Sequence, residues 1–222
     1  MSSIGLLFDM DGVIVDNHKF HLKSWLSFFE KYGVDMSEEE YKAKVNGRTM
    51  SAILPDILNR DMSEKEIQEL GEEKEQVYRD IYRPHIKPTS GLVTFLAELS
   101  RQQIPRTVST SAPPENVDFT LKYTGLRSYF PTIIDATMVT HGKPNPEVYL
   151  KSAEALGLKP EQCVVFEDAI LGIQAGKNAG MKVVGVATTH TKEELEAENT
   201  DLVISDFCEL SMTALREQLN IR

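Results

Sequence analysis

The apolar run Ile4-Gly5-Leu6-Leu7-Phe8 passes without transition into Asp9-Met10-Asp11-Gly12. No other stretch of the chain restricts its fold so tightly. A short apolar run bounded by a glycine turn is a buried strand. The far end of this strand releases two carboxylates, one residue apart. Packing does not need them, and two nearby anions repel. Asp and Gly also make ordinary turns after strands, so a solvated turn is the alternative. Phosphoryl transfer can use both groups: one carboxylate attacks phosphorus, and its neighbour carries a proton to or from the leaving oxygen.

Further strand-length runs, most of them rich in Val or Ile, stand at 104–110, 132–135, 163–167, 182–187 and 201–205. From about residue 89 onward they are separated by helix-like patterns at 89–102, 113–123, 146–156 and 169–179. Strands alternating with helices predict βαβ units and a parallel sheet with helices on both faces. Residues 17–83 break this rhythm, since no convincing strand falls there. Helical spacing predicts helices over 20–32, 38–45, 51–58 and 63–82, the first with Trp25, Phe28, Phe29 and Tyr32 on one face. That aromatic stripe reads as core packing. A helical insert of about 65 residues thus interrupts an α/β core after its first strand. Pro84 and Pro88 restrict the backbone at its second border.

At 222 residues the chain is long enough for one α/β domain and a smaller insert. Its 41% apolar and 26% charged content is that of a globular protein. A net charge of −10 argues against nucleic acid or an anionic membrane surface as partner. Phosphate substrates remain open, because local cations can steer them. Cys163 and Cys208 stand far apart in no metal-like spacing, which predicts reduced thiols in a cytoplasmic protein. The sequence enters its first strand without a signal-peptide pattern, and no segment has the length of a membrane span. A monomer is expected.

In an open parallel sheet, ligands gather at the carboxyl ends of the strands. If Asp9 and Asp11 are catalytic, other strand ends should carry complementary groups. The second strand ends in Ser109-Thr110-Ser111, small hydroxyls that can hold a phosphate or simply cap a helix. After the third comes His141-Gly142-Lys143-Pro144-Asn145-Pro146, where Gly and Pro fix the direction of a lysine suited to neutralising a phosphoryl oxygen. The fourth ends in Glu167-Asp168. With Asp9 nearby, these acids offer a hard oxygen site suited to Mg²⁺, while Asp168 alone could be a helix cap. Four strand ends carrying matching groups are poorly explained by four unrelated turns and caps.

These segments, in this order and over the whole chain, resemble the haloacid dehalogenase superfamily, and within it the β-phosphoglucomutase-like phosphatases. The match is carried by Asp9-Met10-Asp11-Gly12-Val13-Ile14-Val15-Asp16, Ser109-Thr110-Ser111, Gly142-Lys143-Pro144-Asn145-Pro146 and Glu167-Asp168-Ala169-Ile170-Leu171-Gly172-Ile173. The resemblance implies a Rossmann-like catalytic core, residues 1–16 and 84–222, with an inserted helical cap domain, residues 17–83. It implies Asp9 as the nucleophile that forms an aspartyl-phosphate and Asp11 as general acid and base. It implies Thr110 and Ser111 as phosphate-binding groups and Lys143 as the cation holding nucleophile and phosphoryl group. It implies Mg²⁺ on Asp9, the Asp11 carbonyl, Glu167 and Asp168. In the cap it matches His21 and, by position, Lys74. The cap loop reads Asn46-Gly47-Arg48-Thr49-Met50, and Met50 stands where the sugar mutase carries a phosphate-gripping arginine, with Arg48 close by.

The expectation is therefore a Mg²⁺-dependent phosphatase for a small phosphorylated metabolite of sugar-phosphate type. A β-phosphoglucomutase-type mutase and an inorganic pyrophosphatase of the same fold are the alternatives. A phospho-acceptor signalling domain would also take phosphate on Asp, but it has no use for the helical insert or for a proton donor at Asp11.

Overall fold

The computed structural model describes residues 4–45, 48–208 and 210–221. The chain divides into two compact units: Met1–Asp16 with Ile86–Arg222, and Asn17–His85.

The first unit holds six strands: β1 (Gly5–Phe8), β2 (Arg106–Ser109), β3 (Thr132–Ile134), β4 (Cys163–Glu167), β5 (Lys182–Val186) and β6 (Leu202–Ile204). They form one sheet in the order β3-β2-β1-β4-β5-β6, and every neighbouring pair is parallel. β1 and β4 lie at its centre, so both are buried along their whole length. The order reverses between β1 and β4, which is where an open α/β sheet leaves a crevice at its carboxyl edge.

Alternation along the strands gives each face its own core. On one face Leu7, Val165 and Val183 pack with Tyr149, Ile173 and Leu195. On the other an aromatic cluster gathers around Phe8, with the Phe166 ring stacked on it at 4.7 Å and Phe95, Phe130 and Phe207 at 5.7–6.5 Å. The Phe8–Phe166 stack joins the last residue of β1 to the penultimate residue of β4. It thereby ties together the two strand ends that carry Asp9 and Glu167.

The helical unit contains α1 (His18–Lys31), α2 (Glu38–Lys44), α3 (Met50–Ile57) and α4 (Glu64–Tyr82). Local chemistry sets their starts. Ser37 caps α2 in a reciprocal box with Glu40, and Ser63 accepts from the Glu66 amide at the start of α4. Trp25, Phe28 and Phe29 of the aromatic stripe bury against Tyr41, Ile53, Leu54 and Leu70, so the stripe is core packing as its spacing predicts.

The remaining helices belong to the first unit: α5 (Leu92–Arg101), α6 (Pro114–Thr124), α7 (Glu147–Ala155), α8 (Ile170–Asn178), α9 (Lys192–Ala197) and α10 (Met212–Gln218). α5 begins later than the 89–102 pattern predicts. Gly91 is its N-cap at φ 77°, and Thr89 donates instead to the Val13 carbonyl at 2.7 Å. β2 begins later than residue 104 as well. Pro105 has no N–H for the ladder, though its carbonyl still accepts from Leu6 at 3.0 Å.

Candidate active site

Register decides which side chains meet. β1 pairs Phe8 with Val108 of β2 and with Phe166 of β4. Asp9, Ser109-Thr110 and Glu167-Asp168 therefore emerge side by side at one sheet edge. The Asp9 amide extends the ladder by donating to the Phe166 carbonyl at 3.0 Å.

Lys143 joins the acids. Its Nζ donates to Asp9 Oδ1 at 2.8 Å and to Glu167 Oε1. Asp9 is 7% exposed, Glu167 1% and Asp168 5%. One oxygen from each of these three carboxylates falls within 4.8 Å of the others. One lysine cannot balance three buried acids, and the pKa values of Asp9 and Asp168 are pushed upward. Burial pushes the Asp9 carboxyl up to about 7, with Glu167 and Asp11 adding to the rise and Lys143 opposing it. Burial, then Glu167 and Asp9, hold Asp168 well above the carboxylate range. Burial works against the Lys143 ammonium, yet Asp9 and Glu167 outweigh it and hold its pKa well above that of an ordinary lysine. A cluster of hard oxygens that is costly to ionise can hold a divalent cation such as Mg²⁺, which would supply the missing positive charge. The residues present fit that group.

The helix-cap alternatives fail on inspection. α8 starts at Ile170 with Ala169 as N-cap and no side-chain cap bond, so Asp168 caps nothing. Its Oδ2 accepts from the Thr189 hydroxyl instead. α6 is preceded by Pro113, also without a side-chain cap. Thr110, 1% exposed, accepts from the Ala112 amide at 3.1 Å and lies at the carboxyl end of β2, while Ser111 is exposed. Ser109 points into the core and meets Ser152 at 2.7 Å. Asp11 is half-buried in the turn after β1, where it bridges to Val15.

The loop bearing Lys143 is anchored from α7. The Glu147 carboxylate accepts from the Thr140 and His141 amides at 2.8–3.1 Å and from the Lys151 ammonium. Lys151 first, then the two amides, hold its pKa down at about 2. His141 is 67% exposed and turned to Glu147, in keeping with a loop residue rather than a base.

The other predicted residues lie in the helical unit. Lys74 is 2% exposed, pairs with Glu75 at 2.8 Å, and sits 4.9 Å from the Trp25 ring centroid and 3.4 Å from His21 Nδ1. His21 stacks on Tyr78 at 3.9 Å. Arg48 donates to Asp56 at 2.8 Å and to the Lys44 and Ala52 carbonyls. Met50 packs against the Trp25, Phe28 and Phe29 core of the helical unit. Asn46 and Gly47 of the same loop lie outside the described residues.

Sequence reading missed five supports of the site. Tyr149 donates to Glu167 Oε1 at 2.7 Å. Thr188 donates to the Gly12 carbonyl at 2.6 Å, beside the Thr189–Asp168 bond. Both threonines follow β5, so the strand-end rule would have found them had it been applied to that strand. Gly12, at φ +78°, and Gly172 leave room for the Asp168 and Glu167 carboxylates, and a Cβ at either position would collide with them.

Comparison with known proteins gives the family and the fold. The profile of the family described as haloacid dehalogenase-like hydrolase matches residues 6–186. The chain is 34% identical over 182 residues to the fructose-1-phosphate phosphatase YqaB of Escherichia coli, covering 82% of this chain and 95% of that protein. Among solved structures, a HAD hydrolase of family IA, variant 3, from Entamoeba histolytica superimposes with a TM-score of 0.91 at 31% identity, covering 98% of this chain and 99% of that one. A β-phosphoglucomutase from Clostridium difficile gives 0.83 at 28% identity, covering 98% and 97%. The chain belongs to the haloacid dehalogenase-like hydrolases and is an enzyme of that family.

Proposed function

We propose that the chain is a Mg²⁺-dependent phosphatase of small sugar-phosphate-like metabolites, working through an aspartyl-phosphate on Asp9. The observation that carries this reading is the Lys143–Asp9 pair at 2.8 Å, buried at the end of β1 with an acid two residues on. Lys143 grips Oδ1 of Asp9, which leaves Oδ2 to attack phosphorus. As that bond forms, the bond from phosphorus to the ester oxygen breaks, and protonated Asp11 gives its proton to the departing oxygen. Asp11, now a carboxylate, takes a proton from water. The water oxygen attacks phosphorus, the bond to Asp9 breaks, and inorganic phosphate leaves. Mg²⁺ on Asp9, the Asp11 carbonyl, Asp168 and Glu167 would supply positive charge that lets the acids ionise and screens the phosphoryl oxygens. Lys143 adds a fixed cation, and Thr110 a hydroxyl, where charge spreads in the transition state.

The names of the relatives support sugar phosphates as the substrate class. Met50 favours hydrolysis over the mutase reaction, since a thioether cannot hold a second phosphate as arginine does. By the resemblance, His21, Lys74 and Arg48 are the candidates for substrate selection. A cytoplasmic enzyme is the reading that the sequence spacing of Cys163 and Cys208 supports. No described helix is long and apolar enough to cross a membrane.

The test is a panel of hexose and pentose phosphates and pyrophosphate with Mg²⁺, scored for released phosphate and for isomerised sugar. Phosphate release from sugar phosphates is expected. Isomerisation outpacing release would favour the mutase, and pyrophosphate outpacing every sugar ester would favour the pyrophosphatase.

A further inference from the structure

Glu167 accepts four hydrogen bonds from donors of this chain. Oε2 accepts the Asp168 and Ala169 amides at 3.0 and 3.2 Å. Oε1 accepts Lys143 Nζ and the Tyr149 hydroxyl. Tyr149 is wholly buried in the apolar cluster on that face of the sheet, where a phenylalanine would pack equally well, so packing does not call for its hydroxyl. Its ring also lies under the Lys143 ammonium, 5.1 Å from nitrogen to centroid. Tyr149 stands in the first turn of α7, directly after the loop that carries Lys143. The helix that launches the lysine thus reaches back to hold the carboxylate on which the lysine leans.

We propose that Tyr149 is a positioning residue: its hydroxyl fixes Glu167, and its ring and Glu167 together keep Lys143 against Asp9 Oδ1. The proposal rests on the reading of Asp9 as phosphoryl acceptor. Tyr149 touches neither reacting oxygen and acts through Glu167. Without the hydroxyl, Oε1 regains an acceptor position, and Lys143 is drawn toward Glu167 at the expense of Asp9.

Tyr149→Phe keeps the ring and removes only the hydroxyl. Loss of one charge-assisted hydrogen bond in a buried site should lower kcat about tenfold, with KM within about twofold. Carbamylation of Lys143 by cyanate, followed by peptide mass spectrometry without substrate, should be several-fold slower in the variant, because the freed Oε1 holds the ammonium more firmly. In a Glu167→Gln background, adding Tyr149→Phe should change neither readout further. Wild-type kcat and wild-type lysine reactivity in Tyr149→Phe would overturn the proposal. So would an equal loss in both Glu167 backgrounds. If Tyr149→Phe unfolds, Glu167→Gln alone must speed Lys143 carbamylation, and unchanged protection there overturns the proposal too. The lysine readout needs no substrate. If the wild type releases no phosphate from any sugar ester while Lys143 responds as stated, the functional reading falls and the positioning role stands.

Discussion

Asp9→Asn in metal-free protein exposes how the site is balanced, because it removes a charge the fold resists. Asp9 is 7% exposed, and burial, with Glu167 and Asp11 adding and Lys143 opposing, raises its pKa from 3.8 to about 7. Between those two values the folded chain binds a proton that the unfolded chain has lost. Stability must therefore fall as pH rises through this window. From pH 5.5 to pH 8 the Asp9 contribution to that fall integrates to about 2 kcal/mol. Asp168, shifted in the same direction, adds to it. Lys143 and Tyr149, both shifted upward from already high values, titrate above this range. Asp9→Asn cannot ionise, so its decline over the same interval should be shallower by about 2 kcal/mol, or roughly 4–8 °C in melting temperature for a chain of this length. Absolute stability is a poorer readout, since the variant also weakens the bond to Lys143. The assay is urea unfolding in chelator at pH 5.5 and pH 8 for both proteins. Mg²⁺ at pH 8 should then raise the wild type and leave Asp9→Asn nearly unchanged. Parallel pH profiles for the two proteins would refute the electrostatic reasoning.

Asp168→Asn should weaken Mg²⁺ binding in calorimetry by at least about tenfold, as loss of a charged oxygen ligand requires. Unchanged affinity would remove Asp168 from the metal site. Gly172→Ala places a Cβ in the Glu167 carboxylate and should cost about 1–3 kcal/mol in urea unfolding, with loss of activity. A variant as stable and active as wild type would mean that the carboxylate has room to move. Met50→Arg should raise retention of bisphosphorylated sugars in a pull-down or competition assay if the cap loop is aligned as proposed. No gain would reject that alignment.

The core of this enzyme was legible because the chemistry sits where periodicity is strongest. β4 has the bounds its apolar run predicts, and β1 differs only at Ile4, so their ends and the acids on them could be found without a fold in hand. Lys143 was legible through its Gly and Pro neighbours. What escaped was support from residues whose type carries no signal. Tyr149 reads as one more apolar position of an amphipathic helix, and only its hydroxyl, aimed at a strand end 18 residues on, gives it a role. Thr188 and Thr189 stand at the carboxyl end of β5, where the strand-end rule points, but their partners emerge only once β5 is placed next to β4. The ends of α5 and β2 shifted because Gly91 and Pro105 impose backbone constraints that side-chain periodicity does not register. The reach of Arg48 was equally hidden, because a surface arginine's partners depend on how α2 and α3 are placed.

The central claim is that Asp9 carries the phosphoryl group between substrate and water. The direct measurement is acid quench of the Mg²⁺-loaded enzyme during turnover of its best sugar phosphate, followed by peptide mass spectrometry. A phosphoryl group on the peptide containing Asp9, formed and lost at rates that account for turnover, is the predicted result, and Asp9→Asn should abolish both the adduct and the turnover. Full-rate phosphate release with no adduct at any quench time, or an adduct on a different residue, would contradict the account.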